Sequence, residues 1–217
     1  MSRYELVVFD WDGTLMDSTR VIAQSLQAAC RDVGSPVPSE SEALFVIGLN
    51  MADTFRRVVP GLDAEGQRLL AERYRHHFLA REHEAPLYEG VPEMLAELHR
   101  RGRRLAVATG KARRGLERAL DATGLRRWFE ATRCADEGFA KPHPGMLLML
   151  LEMTGVEPRR TLMVGDTTHD LELAANAGID AVGVSYGAHP EELLATRPAL
   201  ARCASVVDLR RWLATNA

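Results

Sequence analysis

The sequence predicts an α/β fold in which a parallel sheet, covered by helices on both faces, forms the core and a small α-helical insert, here called the cap, follows the first strand. Short apolar runs alternate with amphipathic helical stretches along most of the chain, which is typical of right-handed β-α-β crossovers. A long helical region without a clear strand follows the first apolar run. The chain has 217 residues, 46% of them hydrophobic, so a folded domain with an insert is expected.

The first predicted strand covers residues 5–9, a short run of β-branched and aromatic side chains that is typical of a strand buried on both faces. Helical periodicity then begins at residue 19 and continues to about residue 33. Three further helical pieces are predicted at 40–46, 52–58 and 64–81. From these observations we predict the domain boundaries: residues 17–85 for the cap, and residues 1–16 with 86–217 for the core.

Beyond residue 86 the sequence alternates between strands and helices. Glycines such as Gly102 and Gly178 follow helical runs, as is common where helices end. The predicted helices cover 91–101, 111–122, 145–154, 171–177, 190–196 and 208–214. The predicted strands cover 105–108, 131–134, 161–164 and 181–184, with a weak strand near Ser205 and Val206.

Composition limits the environment and the partners. The net charge is −3, so no overall positive field favours nucleic acid or an anionic membrane. The three cysteines, Cys30, Cys134 and Cys203, are widely spaced and odd in number, which favours free thiols in a reducing compartment. No apolar run approaches the roughly 20 residues of a membrane span. We expect a cytoplasmic monomer or weak homodimer without nucleic-acid or membrane partners.

Polar and charged groups follow the strongest predicted strands. In parallel sheets, ligands bind beyond the carboxyl ends of the strands. Four separated segments would therefore bring their side chains to one edge of the sheet: Asp10 and Asp12 after the first strand, Thr109, Gly110 and Lys111 after the second, Lys141 before a helix, and Asp166 and Asp170 after a later strand.

These residue types suit phosphoryl transfer. Crowded carboxylates from Asp10, Asp12 and Asp166, with Asp170 as a fourth, form an all-oxygen set that suits Mg²⁺. One carboxylate can attack phosphorus and form an aspartyl-phosphate. A second can protonate the leaving oxygen and then activate water. A hydroxyl, a backbone N–H and an ammonium can bind the phosphoryl oxygens, as expected for Thr109, Gly110 and Lys141.

The order of these motifs resembles the haloacid dehalogenase-like superfamily of phosphohydrolases. The helical insert is similar to the small α-helical cap domain of the phosphoglycolate phosphatase-like branch, and the resemblance implies a Rossmann-like α/β core beneath it. The matching segments are Asp10-Trp11-Asp12-Gly13-Thr14-Leu15, Val107-Ala108-Thr109, Lys141-Pro142-His143-Pro144 and Gly165-Asp166-Thr167-Thr168-His169-Asp170.

The resemblance implies a role for each matching position. Asp10 would be the nucleophile and Asp12 the general acid and base. Thr109 would bind the phosphoryl group, and Lys141 would neutralise it. Mg²⁺ would be held by Asp10, the Asp12 backbone carbonyl and Asp166, while Asp170 would act through water or orient Lys141. The substrate would be a small phosphorylated metabolite, phosphoglycolate-like or a sugar phosphate, beneath a mobile cap.

The cap and the two lysines supply further candidates. Ile47-Gly48-Leu49-Asn50 resembles the specificity loop of capped relatives, so Gly48 and Asn50 are candidate substrate-binding residues beside Thr109, Gly110 and Lys111. Only two of the 27 basic residues are lysines, Lys111 and Lys141. Both fall next to the predicted anion site. A compact ammonium fits between crowded carboxylates there, whereas a forked guanidinium would collide with them.

Several alternatives stay open on sequence grounds. Asp12 disfavours a dehalogenase, because a halide leaving group needs no proton. A cap without lysine disfavours a phosphonate-cleaving relative. A β-phosphoglucomutase-like phosphomutase, a pyrophosphatase and a nucleotidase all keep these motifs. A non-catalytic binding module is the least favoured, because it would be expected to have lost one of the acids.

Overall fold

The computed structural model describes residues 3–217, and its described part contains a six-stranded parallel sheet in the order β3-β2-β1-β4-β5-β6. The central strand pairs on both sides, since Val8 lies opposite Ala106 and Met163. The strands are Leu6–Phe9 (β1), Arg104–Thr109 (β2), Ala131–Cys134 (β3), Thr161–Gly165 (β4), Asp180–Val184 (β5) and Ala201–Cys203 (β6). This confirms the predicted fold class and places the switch in strand order between β1 and β4.

Ten α-helices accompany the sheet within the described residues. Five of them precede β2, and the first four of these lie in the predicted cap; the others connect or flank the strands. The helices are Thr19–Asp32 (α1), Glu40–Phe45 (α2), Met51–Val58 (α3), Ala64–Arg81 (α4), Val91–Arg100 (α5), Arg113–Thr123 (α6), Gly145–Thr154 (α7), Thr168–Asn176 (α8), Glu191–Leu194 (α9) and Val206–Asn216 (α10).

Both faces of the sheet are covered by apolar layers. Successive side chains of a strand point to opposite faces, so Val7 and Phe9 contribute to one layer, and Leu6 and Val8 to the other. The first layer includes side chains from α5 and α10, and the second includes side chains from α7 and α8. The two layers hold β1 rigidly, and with it the loop that begins at Asp10.

Helices α1 to α4 pack around a third apolar cluster, which includes Leu26, Phe55 and Leu70. The chain leaves and re-enters the sheet region at adjacent places. Met16 forms an antiparallel bridge with Leu87, and the Asp17 amide donates to the Pro86 carbonyl at 2.8 Å. These contacts lie at the predicted boundaries of the cap, although the division into two domains stays a prediction.

Two predicted elements differ from the structure at helix N-termini. The weak strand predicted near Ser205 and Val206 is wrong, because the strand ends at Cys203 and Ser205 caps α10 by accepting a hydrogen bond from the Asp208 amide at 3.1 Å. Helix α8 begins at Thr168, three residues earlier than predicted, because Thr167 caps it. In both cases a Ser or Thr side chain satisfies a free helix N–H.

All three cysteines are buried free thiols. Across residues 3–217, every helix is either too short or too polar to span a lipid bilayer.

Helix α7 offers a direct test of the second apolar layer. Leu147 is fully buried, whereas its neighbour Leu148 is 47% exposed. Leu147→Ala should lower the free energy of unfolding by about 2–5 kcal/mol through lost burial and a cavity. Leu148→Ala should change it by no more than about 0.5 kcal/mol. Urea unfolding measures both, and equal losses would contradict the orientation of this helix.

Candidate active site

Four loops at the carboxyl edge of the sheet bring the predicted catalytic groups together. Asp10 and Asp12 follow β1, Thr109 ends β2, and the loops before α7 and α8 carry Lys141 and Asp166. All five residues are buried. The cluster therefore forms beside the switch in strand order between β1 and β4, where ligands bind in open α/β sheets.

Lys141 lies at the centre of the charges. Its Nζ lies 2.9 Å from Asp10 Oδ1 and 2.6 Å from Asp170 Oδ1, and its side chain is fully buried. Burial alone would lower the pKa of Lys141, but the two carboxylates outweigh burial and raise that pKa above its ordinary value. Lys141 therefore stays protonated and connects the loop after β1 to the first turn of α8.

Three carboxyl groups lie close together here, and two of them contact this ammonium. One oxygen from each of Asp10, Asp166 and Asp170 lies within 4.8 Å of the other two. Asp166 is fixed on both sides, because the Thr14 hydroxyl donates to its Oδ1 and the Ala188 amide donates to its Oδ2, each at 2.8 Å. By contrast, no donor in the described range reaches the buried Oδ2 of Asp10 in good hydrogen-bonding geometry, although the Trp11 backbone lies close to this carboxyl group.

One ammonium does not neutralise three buried carboxylates. Burial raises the pKa of Asp10 to about 7, and Lys141 only partly offsets that rise. Burial, reinforced by the charges of Asp10 and Asp170, raises the pKa of Asp166 well above its ordinary value. A hard cation with oxygen ligands relieves this kind of repulsion. The Oδ2 atom of Asp10, with Asp166 beside it, therefore fits Mg²⁺.

Asp170 is engaged through both carboxylate oxygens. Oδ1 pairs with Lys141, and Oδ2 accepts from the amide and the hydroxyl of Thr167 at 3.1 and 2.7 Å. Thr167 in turn caps α8, so the two residues form a capping box. These contacts let Asp170 orient Lys141, whereas a direct bond from Asp170 to a metal stays a prediction.

Asp12 is held apart from this acidic cluster. Its two carboxylate oxygens lie 2.9 and 2.8 Å from Lys111 Nζ, and the Ser18 hydroxyl donates to Oδ1 at 2.7 Å. The Lys111 amide also donates to Thr109 Oγ1 at 3.1 Å. Both lysines of the chain thus pair with predicted catalytic aspartates, and the Asp12 carboxylate is not a member of the acidic triad.

The predicted binding residues of the cap divide into two groups. Gly48 touches the core, since a Cβ on Gly110 would lie 2.4 Å from the Gly48 carbonyl oxygen. Glycine at position 110 therefore permits the cap turn to approach the loop after β2. Asn50 instead caps α3, because its Oδ1 accepts from the Asp53 amide at 2.7 Å. A role for Asn50 in substrate binding stays a prediction.

Sequence reasoning missed a contact that joins the cap to the core. The Phe45 carbonyl at the end of α2 accepts from Nε2 of His169 and of His189, at 2.9 and 3.1 Å. The Thr168 amide donates to His189 Nδ1 at 3.0 Å, so the His189 proton lies on Nε2. Burial lowers the pKa of His189 to about 4. No sequence signal marks this pairing, because its acceptor is a backbone carbonyl.

A cavity of about 390 Å³ lies between the cap helices and the loops after β1 and β2. Asp10, Asp12 and Thr109 line its core side, together with Gly110 and Lys111. Side chains of α1 and α4, and the turn between α2 and α3, line its cap side. The aspartates are thus accessible from a space large enough for a small-molecule ligand.

Known proteins resemble this chain over most of its length. The family described as haloacid dehalogenase-like hydrolase matches residues 7–184. The probable phosphatase IndB of Dickeya dadantii is 36% identical over 89% of this chain and 86% of its own length. A phosphoglycolate phosphatase of Pseudomonas syringae is 32% identical over 96% of this chain and 78% of its own length. The tyrosine-protein kinase PtkA of Mycobacterium tuberculosis is 38% identical over 84% of this chain, which spans only 62% of that protein.

Solved structures extend the similarity to the whole fold. The crystal structure described as a predicted phosphoglycolate phosphatase from Haemophilus somnus has a TM-score of 0.85 and 26% identity. The alignment covers 98% of this chain and 99% of that one.

The end of β4 tests how tightly the acidic cluster is packed. A Cβ on Gly165 would lie 2.3 Å from Cβ and Cγ of Asp170, whereas a Cβ on Gly183 in β5 would meet nothing closer than 3.6 Å. Gly165→Ala should therefore lower the free energy of unfolding by about 1–3 kcal/mol through overpacking. Gly183→Ala should show no such loss in the same urea titration. A Gly165→Ala protein as stable as the Gly183→Ala control would contradict this packing.

Proposed function

The chain belongs to the haloacid dehalogenase-like hydrolases and is a phosphatase; from this premise, we propose that it hydrolyses small phosphate monoesters with Mg²⁺ and through an aspartyl-phosphate on Asp10. The proposal rests on the position and contacts of the Asp10 carboxyl group. This carboxyl group lines the cavity, has one oxygen that no donor in the described range reaches in good hydrogen-bonding geometry, and lies 2.9 Å from a buried ammonium.

In the first half of the reaction, a carboxylate oxygen of Asp10 attacks phosphorus and the bond from phosphorus to the leaving oxygen breaks. Asp12 donates a proton to that oxygen, so the product leaves as an alcohol. Asp12 enters this step in its protonated form, and Ser18 and Lys111 hold its carboxyl group in place beside the cavity. Thr109 and the Gly110 amide are the proposed partners of the phosphoryl oxygens.

In the second half, Asp12 removes a proton from a water molecule. The resulting hydroxide attacks phosphorus, the bond from phosphorus to Asp10 breaks, and inorganic phosphate is released. Lys141 compensates the negative charge that the phosphoryl group brings next to Asp10. Mg²⁺, held by Asp10 and Asp166, would supply positive charge to the phosphoryl oxygens.

Asp10→Asn should abolish release of inorganic phosphate from phosphate monoesters, because an amide does not form the phosphoenzyme. Asp12→Asn should lower kcat by about 10²–10⁴-fold through loss of general acid and base catalysis. Phosphate release in the presence of Mg²⁺ measures both. The matched control is Asp63→Asn on the exposed cap surface, where either residue caps α4.

Undiminished turnover by Asp10→Asn would rule out the proposed mechanism. Formation of an isomer from β-glucose 1-phosphate by the unaltered protein, without release of phosphate, would instead indicate a phosphomutase.

The raised pKa of Asp10 predicts how Mg²⁺ binding depends on pH. A proton that is lost near pH 7 competes with the cation for the same carboxylate. The increase in melting temperature caused by Mg²⁺ should therefore grow as the pH rises through about 7. Titration of the histidines changes the melting temperature both with and without Mg²⁺, so its effect cancels in the difference between the two melting temperatures.

Thermal unfolding with and without Mg²⁺, over a series of pH values, measures this increase. Asp166→Asn should abolish it, and Asp63→Asn should leave it unchanged. A Mg²⁺ effect of equal size at every pH would contradict the assignment of the proton to this cluster.

A further inference from the structure

The cap side of the cavity is mainly apolar. Aliphatic and aromatic side chains from α1, α4 and the turn between α2 and α3 form most of this side, beside Thr54, Arg75 and Glu82. The largest of these aliphatic and aromatic side chains are Ile22, Leu26, Ile47, Leu49, Tyr74 and Phe78. A substrate that binds its phosphate at Asp10 must place the rest of its body against this side.

Phe78 lies where the leaving alcohol would depart. Its ring centroid is 4.9 Å from Lys111 Nζ, and Lys111 pairs with Asp12, the proposed acid for the leaving oxygen. Tyr74 extends the same surface, because its ring stacks with that of Phe78 at 6.0 Å and 19°. The first atoms of the alcohol therefore meet an aromatic wall.

The basic side chains that line the cavity, one from the cap and three from the core, are either paired or exposed. Lys111 is already paired with Asp12, and Arg118 is paired with Glu82 at 3.2 Å. Arg75 and Arg114 also line the cavity, but both are exposed and hence hydrated. A carboxylate close to the phosphate, as in phosphoglycolate, would have to share Lys111 with Asp12.

The volume of the cavity also favours a bulky substrate. A cavity of about 390 Å³ falls in the range of about 300–1,000 Å³ that is typical of pockets for drug-sized ligands. A two-carbon ester would leave most of the cavity filled with water. Such an ester would make few contacts with the apolar walls, and these contacts stabilise a bound ligand.

We propose that this phosphatase acts on phosphate esters of bulky apolar alcohols, with a body at least as large as an aromatic ring that packs against Phe78, Tyr74 and Leu26. The inference names the substrate class of the site described above and rests on the proposed phosphatase function. Phosphate anchoring and apolar recognition are thus assigned to opposite sides of one cavity.

Two primary alkyl esters with similar leaving groups isolate the contribution of apolar contacts to kcat/KM. The value of kcat/KM for 2-phenylethyl phosphate should exceed that for ethyl phosphate by about 10–100-fold, the effect of burying one phenyl group. Equal values for the two esters, or higher values for phosphoglycolate than for 2-phenylethyl phosphate, would overturn the inference and leave the phosphatase proposal intact.

Variants of α4 connect this preference to the cavity. Phe78→Asn should reduce the preference for 2-phenylethyl phosphate over ethyl phosphate about tenfold or more, because the aromatic wall is lost. Leu69→Asn is the matched control, since Leu69 is exposed on the same helix and does not line the cavity; it should keep the preference. Ala71→Leu, which adds carbon inside the cavity, should also reduce it. An unchanged preference in both cavity variants would overturn the inference.

A binding measurement separates this inference from the proposed reaction. Titration calorimetry in Mg²⁺ compares 3-phenylpropylphosphonate with propylphosphonate, neither of which is hydrolysed at phosphorus. The phenyl compound should bind about 10–100-fold more tightly, with a more negative heat-capacity change, the signature of apolar burial. Such binding without turnover of any ester would refute the phosphatase proposal but support the apolar site. Equal affinities would refute the apolar site.

Discussion

The structure depends on balancing three carboxylates that are buried at one point. Asp10, Asp166 and Asp170 lie within 4.8 Å of one another, and Lys141 supplies the ammonium beside two of them. Each buried ion that lacks compensation costs several kcal/mol. Folding therefore requires the loop before α7 to deliver Lys141 to this point, and the remaining negative charge leaves a place for a proton or a divalent cation.

The fold supplies this arrangement through strand order. Because β1 lies at the centre of the sheet with β2 and β4 on either side, residues far apart in the chain reach one edge. Apolar layers on both faces fix the strands, so the polar groups at their ends are set by the rigid part of the molecule. The cap closes the other side, where the Phe45 carbonyl meets His169 and His189.

The features that sequence alone predicted follow from periodic patterns. The strand at Ala131–Cys134 and the helix at Ala64–Arg81 have the predicted bounds. Three of the four predicted aspartates, Asp10, Asp166 and Asp170, lie together, whereas Asp12 lies apart from them. The errors arose where one side chain decides the local structure, as at Ser205, whose hydroxyl caps a helix. The histidine contacts with Phe45 and the apolar wall around Phe78 were beyond prediction, because both depend on how separate helices pack.

The paired connections at Met16 and Leu87 have a consequence for how such a protein diversifies. Since the chain departs from the sheet and returns to it at bridged positions, the length and sequence between them are free to change without altering the spacing of the strands. Helices α1 to α4 also bury their own apolar cluster. On the proposed function, recognition of the alcohol can therefore change through replacement of this four-helix insertion. Transfer of the phosphoryl group depends instead on a few residues at the strand ends.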